Sequence, residues 1–250
     1  RTLLNTTLET VASNLRFVER VAIFEIACVY LARQGHALPQ EPRRLSIALT
    51  GPRESRSWLT KGDMMDFYDL KGVVETLCEH LGIAEASYVP TQHMSFHPGR
   101  VASLRVGEKE IGVLGEVHPQ VRANFDLPDQ CVCLAEFDLD ALLAAASPVR
   151  QFKPISRMPA LKEDLAVVVD EGVAPDMVEK AIHQAGGFLL ADVVLFDVYR
   201  GEQIGANKKS LAYSLTFQAP DKTLTSEIVA KQRARIIKSL AEQFNAQIRG

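Results

Sequence analysis

The segment Lys209–Gln218 constrains this chain more than any other. Leu211, Tyr213, Leu215 and Phe217 alternate with Ser210, Ala212, Ser214 and Thr216. Successive side chains on a strand point to opposite faces. One face of this strand must therefore enter a core, while the other carries only small polar groups. That pattern describes a sheet covered by helices on one side and open on the other. The neighbouring segments supply the partners. Asp164–Asp170 and Leu190–Tyr199 read as strands, Pro175–Ala185 and Thr225–Phe244 as helices, and Gln247–Arg249 as a short last strand. Gly186-Gly187 closes the first helix, and Arg200-Gly201 turns the chain. The order βαββαβ is that of a ferredoxin-like split βαβ sandwich.

Alternation also sorts the other strands. Leu165, Val167 and Val169 point inward, leaving Asp164, Ala166 and Val168 outward. In Leu190–Tyr199, Val194, Phe196 and Val198 are expected in the core, leaving Asp197 and Tyr199 on the open face. That face then has Ala166, Ser210 and Ala212 as floor, Tyr199 as a stacking platform and Asp197 as an acceptor for a base edge. The same residues also suit a sheet face covered by a neighbouring domain. Arg157, Arg200, Lys208, Lys209 and Lys222 are candidate phosphate contacts.

The first part of the chain is built differently. Leu4, Leu8, Val11 and Leu15 mark one face of a helix. Val21–Tyr30 reads as a buried strand and Leu45–Leu49 as another, with Phe67–Leu81 an amphipathic helix ended by Gly82. Val101–Val106 and Glu110–Leu114 flank Gly107-Glu108-Lys109 as a hairpin, and Val132–Phe137 is a further strand. This order predicts an α+β domain with a largely antiparallel sheet. The expected division is 1–148 for the first domain, 149–158 for a basic, proline-containing linker and 159–250 for the second. The 250 residues are enough for two such cores.

Charge excludes a bulk polycation. Residues 1–150 carry 15 basic and 19 acidic side chains, and residues 151–250 carry 13 and 12. Any RNA contact must come from a local patch or from shape. No apolar run approaches the ~18 residues a bilayer span requires. Arg1-Thr2-Leu3-Leu4 does not begin a signal peptide, and a first residue other than Met predicts a piece of a longer chain. Four cysteines fit a reducing, cytoplasmic setting.

Catalytic and metal motifs are sparse. No Gly-x-Ser-x-Gly elbow, P-loop or dinucleotide-type glycine loop occurs. Gly112 and Gly115 suit close backbone packing. His93, His97 and His118 invite a metal reading, but Pro90 and Pro98 break the helical spacing. Cys131 and Cys133 fall on one strand face without a second pair, as core thiols do. Asp63, Asp66 and Asp69 precede a helix, where carboxylates cap. No metal site is expected.

These stretches together resemble a known family. Leu195-Phe196-Asp197-Val198-Tyr199-Arg200-Gly201, Lys208-Lys209-Ser210-Leu211-Ala212, Thr223-Leu224-Thr225 and Ile248-Arg249 resemble the ferredoxin-fold anticodon-binding domain of bacterial phenylalanyl–tRNA synthetase β subunits. Phe24-Glu25-Ile26, Asp66–Gly72, His97-Pro98-Gly99-Arg100 and Gly112–Pro119 resemble the class II synthetase core-like, non-catalytic domain of the same subunit. The resemblance implies an α2β2 enzyme that charges the phenylalanine tRNA, with catalysis in the α subunit. ATP and magnesium are expected for the whole enzyme and no cofactor in this fragment. Neither a Phe-Arg-x-Glu-like pair nor a second nucleotide-binding arginine motif is found. The implied anticodon contacts are Ala166, Asp197, Tyr199 and Ser210. The Phe24 strand and the Asp66–Leu81 helix are expected to face α. The family usually has Arg before Asp-Leu-Ala; Glu163 stands here, and alternation turns it toward the helices. The rival is a ferredoxin-like regulatory or protein-interaction module that binds no tRNA.

Overall fold

A computed structural model describes residues 2–249 except 34, 36–37, 55–56, 60–61, 84, 148, 150–151 and 153–155. Much of the expected linker lies outside the described residues. Backbone packing divides the chain into Arg1–Gln151 and Phe152–Gly250.

The first unit contains α1 (Leu4–Asn14), β1 (Val21–Cys28), β2 (Arg43–Thr50), α2 (Phe67–His80), β3 (Ala86–Pro90), β4 (Phe96–Val106), β5 (Lys109–Val117), α3 (Pro119–Asn124), β6 (Val132–Asp138) and α4 (Leu139–Ala145). Its six strands form an antiparallel sheet in the order β1-β2-β6-β5-β4-β3. Leu4, Leu8 and Val11 of α1 pack with Ala48, Val101 and Leu134. Leu70, Val74 and Cys78 of α2 pack with Leu104, Leu114, Cys133 and Phe137. Alternate residues of the central strands thus feed two cores, one on each face. Thr7 Oγ1 donates to Ser46 Oγ at 2.9 Å, which satisfies two buried hydroxyls where α1 crosses the sheet.

α2 starts where its carboxylates predicted. Asp66 accepts from the backbone N–H groups of Tyr68 and Asp69, and Asp69 returns a bond to the Asp66 N–H. This reciprocal cap satisfies donors that a helix start otherwise leaves unpaired. Gly82 follows the helix at φ +69°. Gly112 carries the close approach expected of it. A Cβ there would lie 2.1 Å from the Glu136 carbonyl oxygen.

β1 corrects one expectation. It is an edge strand, not a buried one. Among the described residues it pairs with β2 alone, and Phe24 and Ile26 are 71% and 53% exposed. Trp58, the chain's single tryptophan, is 96% exposed.

The second unit contains β7 (Leu161–Asp170), α5 (Pro175–Gly186), β8 (Leu190–Tyr199), β9 (Lys208–Phe217), α6 (Ser226–Phe244) and β10 (Gln247–Ile248). The sheet runs β10-β7-β9-β8, all antiparallel. Leu211, Tyr213, Leu215 and Phe217 are fully buried against Val178, Ile182, Ile236 and Leu240 of the two helices. Glu163 faces the helices and pairs with Arg233 of α6 at 3.4 Å.

β8 breaks strict alternation. Its register with β9 slips twice, between Leu190 and Asp192 and between Leu195 and Asp197. Val193 and Leu195, not Val194 and Phe196, join the core, and Val194 and Phe196 are 48% and 57% exposed. Val198 pairs with Leu211 on the core side but is also partly exposed. The cause is Phe196, an extra residue without a partner that resets the phase.

Candidate anticodon-binding surface

Strand pairing places the four candidate contacts on two alternate rungs, successive ones on the same sheet face. Val168, Ser210 and Tyr199 lie opposite one another, as do Ala166, Ala212 and Asp197. Directly opposed residues stand roughly 4.5–5.5 Å apart at Cβ. Ala166, Asp197, Tyr199 and Ser210 therefore share a single patch on the sheet face away from the helices. The bulge at Phe196 leaves Asp197 and Tyr199 on that face, although counting back through it misplaced the residues before.

The patch is less open than alternation suggested. Ser210 is 4% exposed and Val168 8%. Tyr199 is half-buried, and the Arg249 guanidinium lies over its ring, 4.7 Å from the centroid. β10 brings Arg249 there. The Arg249 N–H donates to the Ala166 carbonyl at 3.0 Å, and a guanidinium N–H reaches Gln203 Oε1 at 3.4 Å. The tyrosine also lies against Gly201, where a Cβ would fall 2.3 Å from its hydroxyl. Gly201 is thus the residue that lets the ring take this position. Arg249 was matched in sequence only as part of a terminal motif. Its place on the sheet is a long-range consequence of β10 pairing with β7.

The five basic candidates do not form one cluster. Lys208 begins β9 beside Ser210 and is half-buried. Arg200 follows Tyr199 but makes a two-pronged ion pair with Glu171, with N–O distances of 2.9 and 3.0 Å. That pair holds the Glu171 carboxyl below its ordinary range. Lys209 is 5% exposed and donates to the Glu171 carbonyl at 2.8 Å, so it faces away from solvent. Its alternation with Ser210 already implied the core side. Exposed Arg157 and Lys222 flank the other end of the sheet. Ser156 and Met158, on either side of Arg157, bond to Ala219 and Gln218 beyond the end of β9. Seven residue steps along β9 separate Ser210 from Phe217, roughly 24 Å of extended chain. Arg200, Gly205, Asn207, Lys208 and Glu171 line an open depression of about 550 Å³ beside the patch.

In the first unit, His118 caps α3 and accepts from the Gln120 N–H, while His93 Nδ1 accepts from the Ser95 N–H. Among the described residues, no three His, Cys, Asp or Glu side chains gather as a metal site. No described helix is long and apolar enough to cross a membrane.

Both units match known protein families. Residues 1–139 match the family described as phenylalanyl tRNA synthetase beta chain CLM domain, and residues 156–249 match the ferredoxin-fold anticodon binding domain. A phenylalanine–tRNA ligase beta subunit of Symbiobacterium thermophilum is 42% identical over 94% of this chain and 26% of its own length. Those of Geobacillus kaustophilus and Bacillus subtilis are 40% and 35% identical, over 94% and 97% of this chain and 29% and 30% of theirs. The chain thus spans less than a third of these curated relatives. A solved pyrrolysyl-tRNA synthetase from Desulfitobacterium hafniense overlaps 56% of this chain and 47% of its own, at 19% identity and a TM-score of 0.42, too little to support an argument. The two matched segments, in order and together covering nearly every residue, make this chain a member of the phenylalanyl–tRNA synthetase beta-subunit family.

Proposed function

We propose that the second unit binds the anticodon region of the phenylalanine tRNA, and that the first supports the catalytic α subunit in an α2β2 enzyme. The observation that carries the first part is the placement of Ala166, Asp197, Tyr199 and Ser210 on two neighbouring rungs of one sheet face. Ala166 and Ser210 offer a floor without bulk. Tyr199 stacks a base, Asp197 accepts from its donor edge, and Arg249 stacks or pairs with phosphate. Lys208 and Arg200 extend the contact along the backbone. Arg157 and Lys222 could meet only a different part of the RNA.

For the first unit, exposed Phe24 and Ile26 on β1 and Tyr68 and Val73 on α2 are the apolar groups offered to a partner. ATP and magnesium belong to the assembled enzyme. The fragment acts without a cofactor, in the cytoplasm.

The test is binding of the assembled enzyme to this tRNA and to one with its anticodon bases replaced, at two salt concentrations. Tyr199→Ala should weaken the native complex roughly 5- to 150-fold, from about 1–3 kcal/mol per stacked base. Ser210→Arg should abolish the preference for the native anticodon by filling the floor. Equal affinity of both tRNAs for the unmodified protein would overturn the reading. A protein-binding role for the second unit finds its support in exposed Val194 and Phe196 on edge strand β8. It predicts tRNA affinity unchanged by both substitutions.

A further inference from the structure

β6 is preceded by Cys131 and has Cys133 as its second residue. Their sulfurs are 3.5 Å apart. Residues two apart along a strand are separated by roughly 6.8 Å. The two thiols therefore turn toward each other. Cys133 is fully buried among Leu49, Leu114 and Ala135, whereas Cys131 is half-buried and reachable from solvent. The Cys131 carbonyl accepts from Thr50 Oγ1 at 2.7 Å, fixing the strand end that carries the outer thiol.

Metal–thiolate bonds near 2.3 Å meeting at a tetrahedral centre place their sulfurs about 3.8 Å apart. The pair is thus already within a few tenths of an ångström of a chelating separation. A structural zinc site needs four ligands, and among the described residues no third His, Cys, Asp or Glu joins the two thiols. The fitting occupant is one satisfied by two sulfurs and no other protein ligand. We propose that Cys131 and Cys133 form a two-thiol capture site for trivalent arsenicals.

The chemistry balances without an oxidant. With an arsine oxide, two As–S bonds form. The arsenic–oxygen bond and both S–H bonds break, and the oxygen leaves with the two protons as water. Arsenic stays trivalent. The contact between the two sulfurs assists the first bond. The hydrogen bond between the two sulfurs lowers the Cys131 pKa, while the Cys133 thiol is pushed up by that bond and by burial. Burial and the Glu116 and Asp66 carboxylates oppose that lowering, and the Arg100 guanidinium, ion-paired to Glu116 at 2.6 Å, adds a smaller contribution in its favour. Capture therefore begins at the exposed sulfur and closes on the buried one.

The experiment treats the folded full-length protein with phenylarsine oxide, then digests it with trypsin and weighs the peptide covering residues 123–150. One phenylarsenic group bridging that peptide is expected, resistant to excess glutathione and removed by a small dithiol. Cys131→Ser and Cys133→Ser should each weaken capture by about 100-fold or more, because the second bond is intramolecular only when both thiols are present. Cys28→Ser should leave it unchanged. Melting curves show whether Cys133→Ser remains folded; Cys131→Ser, at the half-exposed position, supplies the second variant. An unmodified wild-type peptide, or an adduct that survives in Cys131→Ser, would overturn the proposal.

Discussion

Arg249 and Asp69 show how single side chains act at a distance in sequence. The Arg249 guanidinium stacks on Tyr199, a contact worth about 0.5–1 kcal/mol at an exposed site. Arg249→Ala should lower the stability of the second unit by no more than that in denaturant titrations. If Arg249 meets a phosphate of the single-stranded anticodon loop, the slope of log affinity for the tRNA against log salt should also fall by about 0.7. An unchanged slope would confine Arg249 to holding the tyrosine. Asp69 accepts from Arg53 at 2.7 and 3.0 Å and from the Asp66 N–H at 2.7 Å. The Arg53 bond is the main reason its pKa lies below the ordinary 3.8. A depressed carboxyl stabilises the fold above its unfolded pKa, and the gain disappears as pH falls through the folded value. Asp69→Asn should therefore lower the first unit's melting temperature near neutrality, with the difference shrinking as the solution is acidified below 3.8. A gap that stayed constant through that range would exclude the ion pair as its cause.

β9 was legible in sequence because every inward residue is large, every outward one small, and no bulge interrupts it. β8 was not, because periodicity assumes a constant phase and Phe196 resets it. β3 escaped notice for another reason. It is a five-residue edge strand ending in Pro90, too short to show an alternation. α3 was hidden within a recognised stretch, although His118 followed by Pro119 is a helix start. Pattern and resemblance were enough to name the candidates on β7, β8 and β9, and the strand register puts them on one face; the place of Arg249 over Tyr199 could not be read that way. The register also makes a specific claim about Phe196. Removing it would leave Leu195 opposite Tyr213 and Asp197 opposite Ala212, with no other pair displaced. A Phe196 deletion should therefore still melt cooperatively. Its tRNA affinity should fall, because a bulge adds local twist and re-aims the side chains that follow. A chain that no longer folds would show that the bulge serves the sheet rather than the surface.

Each of the two units has its own interior, so damage should stay local. Ile236 is fully buried on α6, within the core of the second unit. Ile236→Ala should cost about 2–5 kcal/mol. Hydrogen exchange should show that loss in amides of residues 152–250 and leave those of the first sheet protected as before. Faster exchange in both would mean that the units unfold together. The exposure of Trp58 has an optical consequence. An indole already surrounded by water emits at nearly the same wavelength whether the chain is folded or not. Intrinsic tryptophan emission from this chain would thus be almost silent during denaturation and RNA binding alike. That silence leaves a clean background: with Trp58 replaced by Phe, an indole installed at Tyr199 would be the chain's only long-wavelength emitter, and its quenching by RNA would report the proposed base contact directly.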